Sequence, residues 1–134
     1  MPKAIALDFG IKRTGIAASD DLKMIASGLT TVKTVDLMIF LEKYLSENEV
    51  DTVVIGEPKH VDGNAMSLEK NIGFFIEDFQ LKFPKINVKR IDERFTSKMA
   101  FQTMIDSGLS KKKRKNKALV DEISATIILQ NFLQ

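Results

Sequence analysis

The sequence predicts an α/β fold: a five-stranded mixed sheet, three antiparallel strands and then parallel ones, flanked by helices. Three observations carry this. Apolar runs separated only by turn-length gaps open the chain, through Val32. Two later runs, 51–56 and 86–91, are each preceded by a stretch of helical periodicity, and a last helical stretch closes the chain. Strands joined by short turns pair antiparallel, whereas a strand reached through a helix usually lies parallel to its predecessor.

Each element has its own signal. Lys3 to Leu7 is the first strand, with Asp8 at its far end, then Phe9-Gly10 and a basic turn, Lys12-Arg13. Thr14 to Ser19 is the second strand and Ile25 to Val32 the third. Thr34 is expected to cap a helix, with Asp36 favourable in its first turn. Leu37, Phe40, Leu41, Tyr44 and Leu45 give that helix one apolar face, and it should end near Asn48. The run DTVVIG, 51–56, reads as a buried strand, and 57–64 as a loop with Pro58 and the turn pair Asp62-Gly63. A second helix is expected over 65–83, ending before Pro84, with Leu68, Ile72, Phe75, Ile76 and Phe79 facing the core. Ile86 to Ile91 is a fifth strand, and its charged pair Lys89-Arg90 marks a sheet edge. A third helix, Thr96 to Asp106, stops at Ser107-Gly108, and a last one runs from Ala118 to Phe132. No repeat or linker interrupts the order, so a single domain over 1–134 is expected.

Composition narrows the class. Hydrophobic residues at 44% and charged residues at 28% suit a globular domain and argue against disorder. With no cysteine, a disulfide framework and a cysteine zinc site are excluded, and a cytoplasmic location is expected. No apolar run approaches the roughly 20 residues of a membrane span, and the first strand is too short and too polar at Asp8 for a signal peptide. The net charge of +2 says little, but six of the eight residues of SKKKRKNK, 110–117, are basic and none is acidic. A region polarised in this way is suited to a polyanion.

The acids then need an explanation. Strands one, four and five should be mutually parallel, with their C-terminal ends along one sheet edge, where open α/β sheets place ligand sites. Those ends carry Asp8, Gly56-Glu57 and Asp92-Glu93. The last helix adds Asp121, which shares a face with Ser124, Ala125 and Ile128 by helical spacing. Small residues at 124 and 125 allow that face close to the sheet. Each acid alone has a plainer reading: Asp8 as a solvated strand end, Glu93 as half of a surface ion pair, Asp121 as an acid near a helix start. Together they would repel unless a cation neutralised them. Mg²⁺ or Mn²⁺ suits such oxygen ligands, and a pair of these ions can activate a water and stabilise the leaving oxygen of a phosphodiester. Lys111, Lys112, Lys113 and Arg114, just before the helix of Asp121, would hold the nucleic-acid backbone. Arg13 would steady the hairpin or meet phosphate. His60, the only histidine, is expected to be exposed in its loop.

Four blocks in this order resemble the YqgF/RuvX family of Holliday-junction resolvase-like proteins, also linked to maturation of the 16S ribosomal RNA precursor. They are LDFGIKRTGIAASD (7–20), GEPKHVDG (56–63), DERFTS (92–97) and VDEISATIILQNFL (120–133), and the resemblance spans essentially the whole chain. It implies an RNase H-like fold and metal-dependent phosphodiester hydrolysis. It implies Asp8, Glu93 and Asp121 as the catalytic, metal-holding acids, and Arg94, Thr96 and Arg114 as substrate contacts. Glu57 departs from the family pattern, where an apolar residue is usual, and adds an acid near the site. The expected partner is nucleic acid, either structured RNA, with pre-ribosomal particles in view, or branched DNA. The expected state is a monomer or a homodimer. A non-catalytic ribosome-assembly factor that binds nucleic acid is the alternative from another class. The phosphate-binding turn of actin-like ATPases also resembles Asp8-Phe9-Gly10, but such proteins need a second domain.

Overall fold

A computed structural model describes residues 2–58, 63–92 and 116–134, the side chains of 63–65 excepted. The described elements are β1 (Lys3–Phe9), β2 (Arg13–Ser19), β3 (Ala26–Lys33), α1 (Leu37–Glu47), β4 (Val50–Glu57), α2 (Gly63–Lys82), β5 (Asn87–Asp92) and α3 (Lys117–Leu133). The helix expected over 96–106 lies outside the described residues.

The strands form one sheet in the order β3-β2-β1-β4-β5. β1 and β2 pair antiparallel, as do β2 and β3, while β4 is parallel to β1 and β5 parallel to β4. The expected RNase H-like arrangement of a mixed sheet between helices is therefore present. Alternation along the strands divides the sheet's two faces. Ile5, Leu7, Phe9, Ile16, Val53 and Ile55 point to one side, against Leu37 and Leu41 of α1 and Ile72 and Phe79 of α2. Ala4, Ala6, Ala17 and Val54 point to the other, against Ala125, Ile128 and Leu129 of α3. The large residues thus face two helices and the small ones face a single helix at close range.

Two local expectations are corrected. β1 continues past Leu7 to Phe9, so Asp8 lies within the strand, in register with Gly15 of β2. Thr34 does not cap α1, which has no side-chain cap and follows a short 3-10 turn at Thr34–Asp36. Its hydroxyl donates instead to Gly10 O at 2.6 Å. With that proton committed, the 2.9 Å contact between Thr14 Oγ1 and Thr34 Oγ1 is donated by Thr14. The tie fastens the start of α1 to the β1–β2 turn and outweighs a local cap.

Candidate active site

Asp8 shares the strand parity of Ala4 and Ala6, so it stands on the α3 face of the sheet, near the C-terminal end of β1. Its cross-strand partner Gly15 shows what lies above. A Cβ built on Gly15 would meet the carbonyl oxygen of Asp121 at 2.0 Å and the amide nitrogen of Glu122 at 2.9 Å. The backbone of α3 therefore rests directly on β2 at this point, and only glycine permits it. At Gly28 on β3, one strand away, the neighbour is a side chain and not backbone: a Cβ would meet the Glu122 carboxylate at 2.5 Å. Thr31 Oγ1 donates to Ala118 O at 2.6 Å and pins the first turn of α3 to β3. Asn116 caps that turn, its side chain accepting from Leu119 N at 3.2 Å.

This seating brings together two residues 108 positions apart: Arg13 Nε donates to Asp121 Oδ2 at 3.1 Å. The side chains are 37% and 24% exposed, so the pair is wetted on one side. Burial pushes the Asp121 carboxyl above its ordinary value, while Arg13 and Lys117 oppose the rise. Desolvation thus outweighs the arginine, and charge on Asp121 is held at a cost that a nearby cation would relieve.

Of the ten residues singled out in the sequence, three are described: Asp8, Arg13 and Asp121. Gly15 joins them, as the cross-strand partner of Asp8 and the seat of the Asp121 backbone. Glu93, Arg94, Thr96, Lys111, Lys112, Lys113 and Arg114 lie outside the described residues, as does His60. Among the described residues no group of three or more His, Cys, Asp or Glu side chains is arranged to hold a metal ion. β5 runs to Asp92, in register with Glu57 at the end of β4, and Glu93 is the next residue. Glu57 has the strand parity of Val53 and Ile55, so it faces the α1/α2 side, away from Asp8. Among the described residues the donors fit a hard cation in chemistry: Asp8 and the helix of Asp121 lie on the same sheet face, and both side chains offer carboxylate oxygens.

Two features escaped the sequence. Arg90, legible only as an edge marker, makes contacts at 2.7 and 2.9 Å to the two carboxylate oxygens of Glu69 on α2. It also donates to Ile55 O at 3.2 Å and Gly56 O at 3.1 Å, fixing the end of β4 to β5 and α2. Nothing local in the sequence signals this clamp. Ser124, legible as a small residue, is 1% exposed, and its hydroxyl has no hydrogen-bond partner.

The chain is similar over its whole length to known proteins. The family model described as "RuvX: Holliday junction resolvase" matches residues 2–134. A Christiangramia forsetii protein named "Putative pre-16S rRNA nuclease" is 58% identical over 133 residues, covering 99% of this chain and 98% of its own. A Bacteroides thetaiotaomicron protein of the same name is 50% identical over 134 residues, covering 100% and 97%. Among solved structures, Thermus thermophilus RuvC bound to a Holliday junction aligns with a TM-score of 0.61 at 17% identity, over 99% of this chain and 94% of that one. The fowlpox virus Holliday junction resolvase gives 0.57 at 16% identity, over 98% and 97%. At such identities the structures speak for the fold alone.

Proposed function

Because the chain belongs to the RuvX family, we propose that it is a divalent-metal-dependent nuclease that hydrolyses phosphodiester bonds of structured nucleic acid, processing the 5′ end of pre-16S rRNA in ribosome biogenesis. The observation that carries this reading is the 50–58% identity, over nearly the full length, to relatives named as pre-16S rRNA nucleases. The seating of Asp121 over the strand partner of Asp8 supports it. Location in the cytoplasm belongs to the same reading.

Asp8 and Asp121, with Glu93, would hold Mg²⁺ or Mn²⁺. When bound, the cation supplies Lewis-acid polarisation of a phosphoryl oxygen and neutralises the carboxylates. The chain's own residues do the rest. α3 delivers Asp121 on a rigid helix seated on glycine, so the carboxylate has little freedom to drift. Arg13 lies beside Asp121 and is partly exposed, which suits it to an incoming phosphate. Lys111, Lys112, Lys113 and Arg114 would track the backbone, with Arg94 and Thr96 as further substrate contacts.

Wild type and Asp8→Asn are incubated with a pre-16S rRNA fragment and with a four-way DNA junction, each with and without Mn²⁺. The expected result is Mn²⁺-dependent cleavage of the RNA by wild type and none by the variant, whose circular dichroism is unchanged. Full activity in cleanly purified Asp8→Asn would refute the mechanism. The family's description favours a second reading, resolution of branched DNA. Cleavage of the junction alone would establish it, and a two-fold junction would then call for a homodimer, whereas RNA processing needs only a monomer. Binding without cleavage of either substrate would make the protein an assembly factor.

A further inference from the structure

The buried hydroxyl of Ser124 stands out among the described residues. It is the one buried side-chain polar atom among the described residues without a hydrogen-bond partner, and at 1% exposure the residue is closed to bulk water. Leaving a hydroxyl in that state is costly, and alanine would carry no such cost. A retained group of this kind asks for a ligand that is not protein.

Its place in the fold says which ligand. Successive helical residues turn by about 100°, so Ser124 and Glu122, two apart, lie on opposite flanks of α3. Glu122 lies across Gly28 of β3. In the order β3-β2-β1-β4, the opposite flank faces β1 and β4. α3 runs alongside β2 from Gly15 towards Ala17, and these two pair with Asp8 and Ala6 of β1. One turn beyond Asp121, Ser124 therefore sits at the height between Ala6 and Asp8. Helical side chains lean back towards the N-terminus, which here is the direction of Asp8.

We propose that Ser124 is a positioning residue of the metal centre, its hydroxyl completing the outer hydrogen-bond shell around the cation held by Asp8 and Asp121. The inference rests on the metal-dependent reading above. The serine holds no cation by itself. It donates to the carboxylate–water shell and fixes the orientation of that shell, and the partner missing from the protein is supplied on loading. Outer-shell donors of this kind tune affinity strongly.

The test uses full-length wild type and Ser124→Ala, titrated calorimetrically with Mn²⁺ and melted in excess chelator. Two opposed changes are expected: a dissociation constant for Mn²⁺ raised about 10-fold, and a melting temperature in chelator raised by roughly 4 °C, because the orphaned hydroxyl is gone. RNA binding without metal should be unchanged. A purely structural serine would move stability alone, so an unaltered Mn²⁺ affinity overturns the proposal. A variant both less stable and weaker in binding overturns it too, since that is a packing defect. If wild type itself takes up no Mn²⁺, the metal reading falls and this inference with it; if wild type binds and the variant binds equally, only this inference falls.

Discussion

Gly15 has no side chain, and its neighbours explain why. A methyl group there would run into the Asp121 backbone, so Gly15→Ala must lift α3 off β2. The expected loss is about 3 kcal/mol in urea unfolding, the upper range for overpacking, together with loss of Mn²⁺ binding. Gly73 on α2 is the control, with open space around its would-be Cβ. There alanine should be neutral or stabilising by a few tenths of a kcal/mol or more, as a better helix former. Asp121 carries a pH signature. Its folded-state carboxyl is raised above 3.8 chiefly by burial, so the folded state holds a proton that the unfolded state has lost. Stability from this group is complete below the unfolded value and falls as pH rises through the folded one. Chelated Asp121→Asn should lack this decline when melted across mildly acidic pH. Arg13 and Asp121 were each legible as polar residues worth attention, but not as a pair. No local pattern links residues separated by 108 positions, and a tertiary ion pair leaves no periodicity.

The helices were legible because each buries one face, and burial of one face writes a period into the sequence. β4 was legible differently: its central residues are buried on both sides, and it reads as a continuous apolar run. Where an element's end depends on a distant partner, the period says nothing. Thr34 had the chemistry of a cap, yet Gly10 and Thr14 claim its hydroxyl. Asp20 belongs to the same class of local devices. Its carboxylate accepts from Met24 N at 2.7 Å and Ile25 N at 3.0 Å, closing the β2–β3 turn. The Ile25 and Met24 amides hold its carboxyl below the ordinary value. That stabilisation is present above the unfolded value and is lost as pH falls through the folded one. Asp20→Ala should therefore flatten the acid limb of the stability profile, read by fluorescence or circular dichroism melts. For α1 the expectation is simpler. Leu41 is fully buried between helix and sheet, and Leu41→Ala should cost about 2–5 kcal/mol while leaving Mn²⁺ affinity intact, because α1 packs on the face away from Asp8.

At the scale of the molecule, charge and topology divide the labour. The described helices include none long and apolar enough to cross a membrane, and the basic run 110–117 leads directly to α3. Neutralising Lys111, Lys112 and Lys113 together should reduce the log–log salt slope of RNA binding by about 0.7 for each phosphate that is no longer neutralised. An unchanged slope would remove that run from the interface. The strand directions could be read from the alternation of strand and helix, but the side on which an edge acid lies could not: Glu57 ends β4 beside the candidate site yet has the parity of Val53 and Ile55 and faces the α1/α2 side. The close seating of α3 on Gly15 also has a bearing on how the molecule comes into being. A growing chain displays Asp8 long before Asp121 has been translated, so no nascent intermediate holds both carboxylates. The sheet's first hairpin can fold early, but the candidate site must wait for the last-made helix to dock. Under the proposed nuclease reading, the molecule would thereby stay inert during most of its own synthesis.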